Sequence, residues 1–562
     1  MIKNNNVEGP RWLLRILLIT SLLMLGLAIF GGIYNYTAVP YWDMWNGTLD
    51  FLLKLQRGEY AVWWGQHNEH RILLSRVIFW LDSAFFGDAS IFSELANYIF
   101  VFGSAVFFVF YLRSLSRDRQ LPKTWERIFS LLLFSWIFLW SQADNFYQAF
   151  QSQFVLAQLL PLMSFYFFAK SVDESREKYF WYALVCACLA LGTMANGVLA
   201  LPLLFVFSLF SMKSVKYCSI VLLFAVLGIV AYFYDYHSPS GSGTSLSLLL
   251  THKQKLLLYV LTYLGSPFYY LFLGAMPAAI FSGAVFILLF VLVVLRVLKD
   301  TQRHPYMLAL VFFVIYILLT ALATGTGRLM LGVEQALESR YTTPVLMAWA
   351  AMALSLGRVV TWPDWFFPTG LSIGIVLLVL LMLLLQFKAL RSANRTSFIR
   401  SHAALALAMG VKDDDMILNL FPDPAYPRLL LPGVERGGIS IFSREPLASM
   451  RSNIGRSASI TANRLCIGAV DHVYQMRDEP DYLRFDGWIF SPADQRVPDR
   501  ITVLNQQGFI VGYAEIGLAR DDVKAKYGAA ALYSGFGGYV RKSLMTRSLT
   551  AIGSNPECKL VM

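Results

Sequence analysis

Residues 369–388, TGLSIGIVLLVLLMLLLQFK, decide how this chain is read. They match the roughly 20 apolar residues that cross a bilayer core as a helix. From Ala389 onward charges and turn residues return, and no later stretch is long and apolar enough to span. Working back towards the N-terminus, ten more apolar runs occupy 12–33, 90–112, 128–142, 153–170, 179–195, 198–212, 217–235, 275–296, 306–324 and 343–360. Three of these are short. The reading is an α-helical multi-span membrane protein of about eleven transmembrane helices, followed by a C-terminal soluble mixed or β-sandwich domain.

Composition agrees. The 562 residues are 57% hydrophobic and 15% charged, against about 45–50% and about 25% in ordinary soluble proteins. Disordered chains and ordinary soluble enzymes are excluded. The formal charge of +11 is read as topology, because Lys and Arg collect in cytoplasmic loops, and no nucleic-acid partner is expected. Lys3, Arg11 and Arg15 precede the first run, and Arg113, Arg117, Arg119, Lys123 and Arg127 follow the second. Lys170, Arg176 and Lys178 follow the fourth, and Lys213 and Lys216 the sixth. Arg296, Lys299 and Arg303 precede the ninth, and Arg358 sits at the end of the tenth. All fit an N-terminus inside and a C-terminus outside, provided 251–274 is an interfacial helix on the outer face rather than a span.

Three domains are expected: a membrane part, 1–388, with a long first outer loop at 34–89; a helical linker, 389–463; and a β-sandwich, 464–562. The alternation in RITVLNQQGFIVGYAEI, with a turn at Gln506-Gln507-Gly508, is a hairpin pattern. In an oxidising compartment a bond between Cys466 and Cys558 would close the sandwich; two free thiols are the alternative. Cys186, Cys188 and Cys218 fall in spans and read as small apolar filler.

Four outer loops collect polar residues with no topological duty. The first holds VPYWDMWNG, with Asp43 between Trp42 and Trp45, and then WWGQHNEHR, with His67, Glu69, His70 and Arg71. A carboxylate in an aromatic setting suits proton abstraction from a hydroxyl or the holding of a cation. His67 and His70 would share a face if helical; phosphate or hydroxyl binding, structural hydrogen bonding and metal ligation all remain open. The second, SQADNFYQAFQSQF, offers Asn145, Gln148 and Gln151 beside aromatics, a pattern suited to sugar recognition or to helix capping. The third, TGTGRLMLGVEQALESRYTTP, places Arg328, Arg340 and Tyr341 outside, against the inward bias of basic residues. The arginine fork matches phosphate; ion pairing with Glu334 or Glu338 is the competing role. The fourth, starting at Tyr234, is rich in Ser and Gly and reads as a lid or a linker. No Walker loop, nucleophile elbow, CxxC pair or dinucleotide fingerprint occurs in a credible context. A lipid-linked donor or an ion gradient is left as the energy source.

The set YWDMW, QHNEHR, DNFYQAFQSQF and GVEQALESRYTTP, with the long first outer loop and the C-terminal outer domain, resembles the GT-C superfamily of integral membrane glycosyltransferases. FDGWIF (485–490), ARDDV (519–523) and SGFGGYV (534–540) are similar to a small sandwich appended to bacterial glycosyltransferases. The resemblance implies a bacterial inner-membrane enzyme with a polyprenyl-phosphate-sugar donor, an envelope glycan or protein acceptor, and inversion in one displacement. It implies Asp43 as general base. Arg340, with Arg328, His67, His70 and Arg71, would hold the donor phosphate. Trp42, Trp45, Glu69, Asn145, Gln148, Gln151 and Tyr341 would contact sugar or acceptor. Many members pair two acidic residues in the first loop; here Asp43 stands without an adjacent carboxylate, and Glu69 would be the second only if the loop folds back. A divalent metal ion is the one cofactor left open. The other readings are a transporter or flippase of a lipid-linked sugar, and a ligase or polymerase of lipid-linked oligosaccharide.

Overall fold

The computed structural model describes residues 9–117, 121–211, 214–238, 251–299, 304–359, 369–391, 394–458 and 462–562. The basic residues Lys3, Arg119, Lys213 and Arg303, and the Ser/Gly-rich part of the fourth loop at 239–250, lie outside them. The chain forms two compact units. A helical body comprises 1–36, 63–78 and 92–391, and a second unit comprises 37–62, 79–91 and 392–562. Residues 34–89, expected to form the first outer loop, are thus shared between the units.

Each apolar run forms a helix of the body. These are α1 (Arg11–Asn35), α2 (Ile91–Arg117), α3 (Lys123–Ile137), α4 (Ser152–Asp173), α5 (Glu177–Ala190), α6 (Ala200–Phe210), α7 (Val215–Phe233), α10 (Met276–Val297), α11 (Pro305–Arg328), α12 (Thr342–Val359) and α13 (Thr369–Gln386). Among the described residues, seven helices are long and apolar enough to cross a membrane, those opening at Arg11, Ile91, Ala149, Val215, Met276, Pro305 and Thr369. α3, α5 and α6 have 15, 14 and 11 residues, so at 1.5 Å per residue they reach under about 23 Å of a core about 30 Å thick. Large apolar side chains stay exposed on the outer helices, as Ile33, Val230 and Phe281 do, which suits contact with lipid chains rather than water.

Helix α4 is the centre of the body: 78% of its apolar window is buried, against 28% for α7. It packs on α5 and α11, while α1 packs on α3 and α6 on α7. The Gln386 amide donates to Met24 O (2.8 Å) and Phe138 O (3.2 Å) and accepts from Trp140 N (2.9 Å), tying three segments at one buried point. Segment 251–274 is not a single surface helix. It breaks at Gly265 into α8 (Lys253–Leu264) and α9 (Ser266–Leu271), with Tyr259, Tyr263 and Leu264 buried. A Cβ on Gly265 would lie 1.8 Å from Ala279 O, and one on Gly283 1.9 Å from Leu261 O; glycine permits this backbone approach to α10. Between α2, α3, α12 and α13 lies a cavity of about 550 Å³, lined by leucines with Phe129, Trp136 and Trp349, at the end of these helices remote from the polar loops.

The second unit corrects the sandwich. Seven strands form one antiparallel sheet in the order β1-β2-β5-β4-β3-β6-β7. They are β1 (Ile467–Gln475), β2 (Tyr482–Phe490), β3 (Arg500–Asn505), β4 (Ile510–Leu518), β5 (Gly535–Arg541), β6 (Leu549–Ser554) and β7 (Cys558–Val561). Register shifts at Val470/His472, Val503/Leu504 and Ile516/Leu518 bend the sheet, as bulges do. It curls until the two edges meet: Leu465 bridges Lys559, and Cys466 is bonded to Cys558, Cα to Cα 5.3 Å. Alternation along a strand defines one buried face and cannot say whether a second sheet or a helix covers it. The curl of the sheet itself encloses that face, with Ile501, Val503, Phe536 and Val540 in one core, and α14 (Asn394–Met409), from the expected linker, packs on the opposite face of β4 and β5. Its residues 402–409 are all buried. Gly537 lets the His402 ring approach within 2.7 Å of where a Cβ would stand. The buried Asp413 carboxylate fixes the end of this layer, accepting from Arg484 (3.0 Å), Tyr539 Oη (2.9 Å) and Met416 N (3.2 Å).

Candidate functional site

The polar end of the body is built on a tight turn. His67 and His70 exchange both main-chain hydrogen bonds at 2.8 Å, and Asn68 takes φ +49°, a left-handed geometry that asparagine tolerates. The two rings therefore do not share a helical face. His67 is buried against Phe150, centroids 5.2 Å apart. Burial, helped by the charges of His70 and Arg76, lowers its pKa to about 3, so the ring is neutral. His70 accepts from Ala195 N at Nδ1 (3.2 Å); its proton therefore sits on Nε2, 4.0 Å from Glu69 Oε1. Arg328, on the last turn of α11, donates to the same oxygen at 2.9 Å. Burial alone would raise the Glu69 carboxyl, but His70 and Arg328 hold it below its ordinary value. Glu69 and Arg328 keep 32% and 35% of their side chains exposed, so the pair is open to a ligand.

Arg71 is placed differently. It is 4% exposed, and its three nitrogens donate to Tyr232 O (2.7 Å), Trp64 O (2.6 Å) and Tyr234 O (2.5 Å). Two of these carbonyls belong to the C-terminal end of α7, where main-chain acceptors lack partners and carry the negative end of the helix dipole. Two of these bonds cap α7 and the third holds the loop carbonyl of Trp64.

The second and third loops interlock. Ser339 Oγ donates to Ser141 O (2.9 Å) and accepts from Asp144 N (3.1 Å). Asn145 donates to Arg340 O (3.1 Å) and Thr343 Oγ1 (2.7 Å), and Thr343 donates to Gln142 (2.5 Å). Arg340 lies over the Tyr341 ring, 5.4 Å from its centroid. Gln151 donates to Gln148 Oε1 at 3.0 Å; the two amides do meet, across a 3₁₀ turn. Asn145 Oδ1 and Gln151 Oε1 are buried acceptors without a hydrogen-bond partner among the described residues, which is costly unless a hydroxyl or water supplies the donor. Gln142, Ser339 and Thr343, which hold these loops together, were not expected; a polar side chain at the end of an apolar run was their only signal.

Trp42, Asp43 and Trp45 fold with the second unit. Trp42, exposed and at φ +47°, donates its main-chain N–H to Leu420 O (2.8 Å). Trp45 is fully buried, 5.8 Å from the Phe442 ring. Asp43, half-buried, lies between them just before a π-helical turn, Trp45–Leu49. Positive φ in a bulky residue and π-turns both cluster at functional positions.

Among the described residues, no three His, Cys, Asp or Glu side chains converge to hold a metal ion. His67 turns to Phe150 and His70 to Ala195, so the HNEH cluster does not fit one. The chain matches no known family model and no curated protein.

Proposed function

We propose that the chain is a membrane glycosyltransferase that moves a sugar from a polyprenyl-phosphate donor to an envelope glycan or protein, with inversion at the anomeric carbon. The observation that carries this reading is Arg328 at the end of an apolar helix, partly exposed and with one N–H on Glu69. Its remaining donors suit a phosphate on a carrier whose chain lies along the apolar helices. Arg340 over Tyr341 adds a second cation, and charge on the leaving phosphate would be stabilised by both. The partnerless oxygens of Asn145 and Gln151 suit sugar hydroxyls. Asp43 takes the proton of the acceptor hydroxyl as the glycosidic bond forms. His70, with its proton on Nε2, orients Glu69, and Arg71 holds the loop. The proposal includes the bacterial inner membrane, eleven crossings, the N-terminus inside and the second unit outside.

The test is to incubate the purified protein with labelled polyprenyl-phosphate sugars and follow donor consumption. Turnover of one donor is the expected result. Movement of the lipid across vesicles without turnover would replace this reading with a flippase.

A further inference from the structure

The second unit contains a pocket of about 290 Å³ that the proposed transfer does not use. Its floor is a cross-strand pair, Arg500 on β3 directly opposite Glu515 on β4, with Arg500 Nε donating to Glu515 Oε1 at 3.2 Å. The Glu515 side chain is 14% exposed, and its second oxygen has no hydrogen-bond partner among the described residues. Arg444 and Glu445 line the rim, and Ile441 and Leu447 supply an apolar wall. Gly87 leaves room for the Arg444 guanidinium, since a Cβ there would fall 1.4 Å from it. Glu445 accepts from Ser449 Oγ at 2.5 Å. Rim and floor are therefore set before any ligand arrives.

Two features select the ligand class. Two guanidinium groups face two carboxylates, so the pocket has no net charge with which to concentrate an anion or a cation. Guanidinium N–H groups only donate and carboxylate oxygens only accept. Neighbouring hydroxyls do both, so a vicinal diol can accept from Arg500 while donating to Glu515. The volume lies just below the roughly 300–1,000 Å³ range of small-molecule sites, enough for one sugar ring and not a chain. We infer that this pocket binds a single neutral sugar residue, with the Arg500–Glu515 pair gripping adjacent hydroxyls and the Ile441 and Leu447 side chains covering its C–H face. The inference stands on the pocket alone and requires no transfer activity.

The experiment uses the full chain in detergent, with methyl glycosides of glucose, galactose and mannose titrated at millimolar concentration and read by saturation-transfer NMR. One glycoside is expected to bind, and Glu515→Gln and Arg444→Gln are each expected to weaken it at least tenfold. Arg444→Gln serves where Glu515→Gln disturbs folding, and unchanged thermal unfolding certifies each variant. Absence of binding by all three glycosides would overturn the inference. So would binding that both folded variants leave unchanged, or preferential binding of a sugar phosphate or a free amino acid. Repeating the titration on Asp43→Asn keeps the two readings separate, since sugar binding should persist there whatever happens to transfer.

Discussion

Arg71 of the helical body is buried and Arg484 of the sheet unit is half-buried, and they are neutralised in different ways. Arg71 meets no carboxylate; main-chain carbonyls at the end of α7 surround it. Arg484 meets the buried Asp413 carboxylate at 3.0 Å, within a unit that also pairs Arg500 with Glu515 at 3.2 Å and Arg520 with Asp471 at 2.5 Å. The body is packed from apolar helices, and there a helix terminus offers the negative charge that a side chain offers in the sheet unit. Cations in the body therefore report on architecture unless they stay partly exposed, as Arg328 does.

The sharpest way to break this division concerns Asp43, which folds with the sheet unit while the phosphate-binding candidates fold with the body. Asp43→Asn is expected to lower transfer about 10²–10⁴-fold, the range for a lost general base, with unchanged thermal unfolding. Full activity would confine the chemistry to the body. Next is Arg71→Ala, which strips three carbonyls of a charged donor. A loss of about 3 kcal/mol or more should appear as a lowered unfolding temperature in detergent. Arg328→Ala, by contrast, should cost under about 1 kcal/mol of stability while weakening donor affinity, and Arg328→Lys should recover affinity only in part.

Cys558→Ser tests how the sheet unit differs from the body in its reliance on a covalent link. About 2–4 kcal/mol of loss is expected, read as faster proteolysis of that unit with the body intact. The smallest effect concerns pH. Burial beneath the sheet, and then the charge of Arg484, depress His402 from 6.5 to about 3. A depressed folded pKa gives stability that is present above pH 6.5 and lost as the pH falls towards 3. The sheet unit should lose about 1 kcal/mol from this group by pH 5.5, and His402→Leu should flatten that part of the profile in proteolysis.

Much of the body was legible because an apolar run with no polar face leaves a helix few alternatives. Each of the eleven runs falls on a helix, although 128–142 slid to Lys123–Ile137. The β3–β4 hairpin was legible from alternation and Gly508. Long-range features were not. An i, i+3 pair such as His67 and His70 suits a helix or a turn equally, and Asn68 at positive φ decided it. The capping of α7 by Arg71 needs residues more than 160 positions apart, which no local pattern encodes. The covering of the sheet by α14 was hidden for the same reason.

The division of the first loop has a consequence for how this chain is made. Residues 37–62 leave the ribosome early, yet Trp45 finds its neighbour Phe442 only after nearly four hundred further residues have been added. Until then the indole, bonded to Pro40 O, lacks that neighbour. Nor can the sheet unit be obtained by cutting at residue 391, because such a fragment leaves the 37–62 and 79–91 strands of its own fabric behind. The chain passes between the units at 36/37, 62/63, 78/79, 91/92 and 391/392, so the sheet unit is gathered from three separated stretches of the chain.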